Sequence, residues 1–396
     1  MRTWHVSTAV GLGLSLLQIV PLQAQRAQLQ VSIDSLVAHA ARDSNDAPAH
    51  YELALAYWVK GKYDLAEHQL REAILIEPRT AQAYLALSYL PYARRPKLWD
   101  EEEKGKIPTE WAAAVDEAWS FRRRAFLLDP LVDLKPLALM IPPAQVLHLG
   151  SNSAAVYTYI MNGFGRFWDG QYARAYQFFH DITGKDSDED RKKYSGWFLW
   201  YEALAAAHTG DYPRATTNIQ MLLDRAAADA EQSGGATLAF SSANHYRYAL
   251  ACIQESSGHT AEAIALLQEA LTVDAGLYMA HVRLAGIYDE QHRTEAALEE
   301  RRRAVAANPE DPSLLFDLGE ALARAGEAVE AEAVLGQAVA ANPRNVRALY
   351  VLGFVARQMG HTAASRDAYT RFIELAPSRF EEQKVEARKR IEALGS

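Results

Sequence analysis

The chain has one cysteine, Cys252, in 396 residues. No internal disulfide is available, so the fold must be held by side-chain packing alone. Positive charge is not in excess either: 41 Lys and Arg stand against 50 Asp and Glu, a formal net charge of −9. That balance argues against general nucleic-acid binding, which relies on cations neutralising phosphates. The apolar run from Val6 to Val20 is broken by small and polar residues and falls short of the roughly 20 apolar residues a membrane span needs. Catalytic signatures are also missing. There is no Gly-rich loop ending in Gly-Lys-Ser or Gly-Lys-Thr, no Gly-x-Ser-x-Gly elbow and no His-Glu-x-x-His helix. Gly163 and Gly165 flank Phe164 without a third spaced glycine, and read as a packing feature. The expectation is a non-enzymatic protein with no catalytic, cofactor or metal site.

What the chain does have is a period. From Asn244 to Arg379 a 34-residue pattern occurs four times without insertion or deletion. Leu250, Leu284, Leu318 and Leu352 are each followed by a small residue, Ala251, Ala285, Gly319 or Gly353. A second small residue recurs at Ala263, Ala297, Ala331 and Ser365, and the units close near Ala275, Pro309, Pro343 and Pro377. Small residues in two successive segments let two helices approach until ridges interlock with grooves. Gly258, His292, Gly326 and Gly360 mark the turn inside each pair, and the closing prolines stop the second helix. Each unit is therefore a helical hairpin that buries its apolar face only against its neighbours.

The pattern resembles the tetratricopeptide repeat. In the unit from Pro312 to Asn345 the family's positions hold Leu315, Leu318, Gly319, Leu322, Ala331, Leu335 and Pro343. Arg247, His281, Gln254 and Arg301 depart from it. The resemblance implies an all-α, right-handed solenoid of stacked antiparallel helix pairs.

Read in order with this period as a ruler, residues 1–24 are expected to be a secretory signal: Arg2, the apolar run, then Pro21 and Ala24. The mature protein then starts near Gln25, without an integral membrane span, in the periplasm or outside the cell. An N-terminal region follows over 25–132. It begins with an amphipathic helix from Gln30 to Asp43 and a full repeat from Ala47 to Thr80. A second repeat over 81–132 breaks at Pro91 into an inserted loop at about 91–108 and resumes with a helix from Trp111 to Leu128. Residues 133–155 are expected to form an irregular apolar connection that bends the solenoid; 156–229 hold degenerate repeats; the regular array occupies 244–379, and 380–396 form a capping helix, about eight repeats in all. Asp186 to Lys193 reads as a solvated turn and Cys252 as a small apolar residue in a helix. Thr260, Thr294 and Thr362 suit the N-caps of second helices beside the turn histidines His259, His292 and His361.

In tetratricopeptide proteins the first helix of each repeat lines a concave groove. The resemblance places Tyr157, Phe164, Phe167, Trp168, Trp197 and Trp200 of the degenerate units there. From the regular units it adds Tyr248, Asp289, Glu290, Phe316 and Glu320, then Arg324, Arg347, Tyr350, Phe354 and Arg357, so that acidic residues precede basic ones. For the middle aromatics, groove and buried core are equally open readings. A Lys and Asn carboxylate clamp is not matched: Tyr248 with Cys252, Val282 with Gly286, Phe316 with Glu320 and Tyr350 with Phe354 hold its positions. The function expected is a scaffold that binds a protein or peptide and supports assembly of a complex in the cell envelope. The alternatives are a carbohydrate-binding protein stacking sugars on the groove aromatics, and an enzyme whose site hides in 91–108 or 133–155.

Overall fold

The computed structural model describes residues 33–95, 98, 107–132, 163, 166–167, 171–183, 187, 196–233 and 242–395. The expected signal segment, the connection at 133–155 and most of the inserted loop lie outside the described residues. Everything described is helix and turn, without a strand. No described helix is long and apolar enough to cross a membrane.

The N-terminal region holds α1 (Ile33–Arg42), α2 (Ala47–Val59), α3 (Tyr63–Ile76), α4 (Ala81–Arg94) and α5 (Thr109–Leu128). The middle holds α6 (Tyr172–Thr183), α7 (Gly196–Thr209) and α8 (Tyr212–Ser233). The regular array is α9 (Ala243–Ser256), α10 (Thr260–Val273), α11 (Tyr278–Glu290), α12 (Thr294–Ala307), α13 (Pro312–Ala325), α14 (Ala328–Ala341), α15 (Val346–Gln358) and α16 (Thr362–Leu375). The cap α17 (Glu381–Ala393) follows a short 3₁₀ turn, Ser378–Phe380.

The repeated small residues do what their spacing predicts. A Cβ on Gly319 would lie 2.6 Å from Leu335 Cγ, and one on Gly353 would lie 2.9 Å from the Tyr369 ring. The first helix of each hairpin therefore rests directly on the second, with Leu335 and Tyr369 fully buried. The turns have left-handed backbone at Gly258, Gly326 and Gly360, and at His292 with φ 58°. Around these turns the chain closes through its own backbone: the N–H groups of His259, Arg293 and His361 bond the carbonyls of Gln254, Tyr288 and Ala356 at 2.8–2.9 Å. This closure corrects the expected capping. Thr260, Thr294 and Thr362 are the first helical residues, the cap positions belong to His259, Arg293 and His361, and none of those three side chains makes a capping bond.

A second correction concerns Pro91. The expected break does not occur there, and α4 runs through it to Arg94. Proline forfeits one amide bond near the helix end, where the Arg95 N–H still closes on the Pro91 and Tyr92 carbonyls at 3.1 and 3.2 Å.

The N-terminal region lies against the C-terminal array along the loops that join one repeat to the next. Arg344 donates to Asn45 Oδ1 at 2.8 Å, to the Ser44 carbonyl at 2.6 Å and to Glu72 at 2.8 Å. The Asn342 amide reaches the carbonyls of Leu75 and Ile76 at the end of α3, at 3.4 and 3.3 Å. The Asp43 carboxylate accepts from Ser378 N–H and Oγ at 2.9 and 2.7 Å, and Arg379 pairs with Asp46 and Glu77. Further along, Arg79 pairs with Asp317, and Arg124 with Asp311 and the Tyr278 hydroxyl. Phe126, near the end of α5, meets the His245 ring at the start of the array, 5.6 Å between centroids. The order is antiparallel: the first repeat meets the last, and α5 meets the first helices of the regular array. The superhelix is thus folded back, with two rows of inter-repeat loops zipped together.

Candidate functional site

The fold-back decides which parts of the expected groove are open. Tyr248 is 1% exposed, and its hydroxyl accepts from Arg283 Nε at 3.0 Å. Phe316 is 5% exposed and lines a cavity of about 200 Å³ with Pro78 and Arg79 of the N-terminal region and Arg344 and Arg379 of the array. Among the middle aromatics, Phe167 is fully buried against Tyr172 and Tyr201, and Trp200 is buried against Phe126 and His245. The Tyr157, Phe164 and Trp168 positions, and the Trp197 side chain, lie outside the described residues. Tyr248 and Phe316 were expected in the groove, and for Phe167 and Trp200 groove and core were equally open. The structure packs all four between helices instead, because α5 and the 77–80 loop cover the array and the middle helices rest on each other's rings.

The upstream acidic residues are compensated within the chain. Asp289 is paired with Arg301, and Glu255 with Arg283 at 2.9 Å; Glu290 is exposed. The Cys252 thiol next to Glu255 is buried, and burial pushes its pKa up to about 12. The turn histidines do not converge. His259 bonds Ser257 at 2.8 Å, and His361 meets Glu332 at 2.8 Å in another repeat. Among the described residues no three His, Cys, Asp or Glu side chains are placed to share a metal ion.

The downstream end differs. Arg347, Tyr350, Phe354 and Arg357 follow one stripe of α15, at i, i+3, i+7 and i+10. The adjoining stripe, with Val346, Leu349, Gly353 and Ala356 each one residue earlier and so about 100° round the helix, is buried. Arg347 is 63% exposed and Arg324 is 62% exposed; they share one carboxylate, Glu320, at 3.8 and 3.9 Å, the outer limit of an ion pair. Arg347 also stands 4.9 Å above the Phe316 ring. Arg357 is exposed, with no ion pair among the described residues. Tyr350 and Phe354 are half-buried, and Arg390 of α17 covers part of each ring at 5.5 and 5.4 Å while pairing with Glu386. Arg390 closes the end of this face. Sequence reasoning missed its role, and those of Arg79, Arg124 and Arg283, because each acts on a residue distant in sequence.

A tetratricopeptide repeat model matches residues 248–312, 282–335 and 316–380, and a second such model matches 47–80. Among solved structures, the chain is similar to the C-terminal part of a TPR repeat-containing protein from Cytophaga hutchinsonii. The identity is 16% and the TM-score 0.45, over 59% of this chain and 86% of that one. It is also similar to the MamA protein, at 18% identity and TM-score 0.37 over 48% and 94% of the two chains. With yeast Tom70 it shares 13% identity at TM-score 0.34, over 94% and 93%. No curated protein matches the sequence. Residues 47–80 and 248–380 are tetratricopeptide repeats, and the described residues form an all-α stack of helical hairpins of that fold.

Proposed function

We propose that the chain is a non-enzymatic scaffold that binds a segment of a partner protein along the downstream first-helix face of its regular array. The observation that carries this is the stripe on α15, where two half-buried rings lie between two exposed arginines on a rigid, well-packed helix. Interface energy concentrates in such aromatic and arginine anchors, and a preformed helix holds their backbone at fixed spacing, which lowers the ordering cost on binding. Tetratricopeptide repeats suit protein partners, which supports this reading over a small-molecule one. The core position of Trp200 supports a peptide over a stacked sugar.

Export belongs to the same proposal. The composition of residues 1–24 supports delivery to the periplasm or the exterior, where the scaffold would help assemble an envelope complex. Two experiments test the reading. Cell fractionation with mass spectrometry of the mature N-terminus is expected to find cleavage after Ala24 in an exported fraction; an intact N-terminus in the cytoplasm rejects export. Crosslinking in the native cell is expected to recover a partner with the wild-type chain and not with a Tyr350→Ala, Phe354→Ala variant of unchanged helicity. Equal recovery by both rejects the face.

A further inference from the structure

The chemistry of the partner segment can be read from the charges left uncompensated on this face, an inference that rests on the binding reading above. Among the described residues, most carboxylates of the face are already paired. Glu255 and Asp289 are neutralised by Arg283 and Arg301; Asp317 is held by Arg79 across the fold-back; Glu386 is held by Arg390. Glu290 stays exposed upstream. Downstream, Arg324 and Arg347 divide the single carboxylate of Glu320, and Arg357 makes no ion pair among the described residues, feeling only Glu386, which Arg390 already holds. In a protein of net charge −9, three exposed arginines on two neighbouring first helices, α13 and α15, with only distant, shared counter-charges form a local cationic strip.

We propose that this strip receives an acidic peptide segment, in which two carboxylates flank an aliphatic or aromatic side chain. The spacing follows from the helix. Arg347 and Arg357 are ten residues apart, about 15 Å at 1.5 Å per residue. An extended peptide rises about 3.3 Å per residue, so the two carboxylates fall roughly four to five residues apart. The residue between them faces Tyr350 and Phe354, and Arg324 meets a further acid beyond the first. Guanidinium and carboxylate meet with two parallel hydrogen bonds, which fixes direction as well as charge. The strip also raises the rate of encounter with such a segment, an effect that salt removes. A nucleic-acid backbone is a poorer fit, because the rest of an acidic molecule repels an extended polyanion.

The test uses the full chain and a fluorescein-labelled extended peptide carrying Glu pairs four residues apart around a central Phe, with a Lys-for-Glu version and a single-stranded DNA 20-mer as controls. Fluorescence anisotropy is expected to show binding of the acidic peptide alone. Binding weakens at least tenfold in R324E/R347E/R357E, and also in 0.5 M salt. The variant K60E/K62E/R174E carries the same charge change on exposed positions elsewhere and keeps wild-type affinity. Circular dichroism confirms that both variants are folded. Equal binding to both triple variants, no binding of the acidic peptide, or tighter binding of the DNA overturns the proposal. Peptide display on the full chain separates this failure from failure of the binding face. Neutral or basic selected peptides whose binding is lost in Phe354→Ala overturn the acidic partner and leave the face standing. Selected peptides indifferent to both Phe354→Ala and the arginine reversals overturn both.

Discussion

Gly353 has room for a hydrogen and nothing larger, since an added Cβ meets three atoms of the Tyr369 ring at 2.9–3.0 Å. Tyr369 is fully buried and its hydroxyl accepts from Arg390, so the ring cannot swing away without breaking that bond. Gly353→Ala is expected to cost about 1–3 kcal/mol by overpacking, read as a lower urea midpoint of the array. The same substitution at Gly336, where an added Cβ meets nothing, is expected to change the midpoint little and to favour the helix slightly. At Cys252 the physics is desolvation. With its pKa pushed up to about 12, the thiol is almost wholly protonated at pH 8, and the side chain is 2% exposed. It is expected to resist thiol reagents in the native protein and to react at the rate of a free thiol after unfolding in guanidinium. Fast reaction of the folded chain would contradict the described packing.

At the scale of the element, much was legible because each hairpin is decided by nearby residues. Gly258, Gly326 and Gly360 end first helices in the left-handed conformation that glycine tolerates, and the Leu-plus-small pairs fix which faces meet. His292 takes the same conformation without glycine's freedom, and its place in the period was enough to locate the turn. Where local rules failed, another interaction did the work first. Backbone closure of the turn left the threonines nothing to cap, and a proline near a helix end removed one bond without ending α4. The groove aromatics were harder still. Tyr248 and Phe316 hold the expected positions of α9 and α13, yet α5 and the 77–80 loop cover them. His245 of α9 shows the consequence. Packed among Phe126, Trp200 and Tyr246, with Arg123 and Asp274 lining the adjoining cavity, it has its pKa lowered to about 4 by burial. A histidine whose folded pKa is depressed contributes stability above its unfolded value near 6.5 and loses it as pH falls toward 4. Between those limits the array is expected to lose on the order of 1–3 kcal/mol, allowing for partial exposure of the ring. His245→Phe should flatten the dependence in urea melts at pH 4.5 and 7; an unchanged slope would place the titration elsewhere.

For the whole molecule the decisive feature is the antiparallel closure of the N-terminal repeats on the array, which no local pattern announces. Its polar partners are 154 to 335 residues apart, and the residues involved, Asp43, Asn45, Arg79, Asn342 and Arg344, read singly as ordinary turn and surface residues. Arg344 is the most connected, and Arg344→Met, which keeps the side-chain stem, removes all its guanidinium bonds at once. That variant is expected to increase the radius of gyration in small-angle scattering while helicity is retained. Acid should act similarly. Arg344 beside Glu72 holds that carboxyl below its usual range. Burial alone would raise Asp43, but its bonds to Ser378, with Arg42 and His39 nearby, hold it lower than normal. Both contributions are present above the unfolded carboxylate range, near pH 4, and are lost as pH falls below it. The closure also covers the upstream array and leaves the α15 face open, so architecture and proposed function stand on the same contacts. Hydrogen exchange on the full chain, free and with the acidic peptide, tests both together. Slow exchange is expected across α3 and residues 342–349 in the free chain, with new protection on binding confined to α13 and α15. Fast exchange along the zipped loops, or new protection appearing in α6–α8 and not on α15, would contradict it.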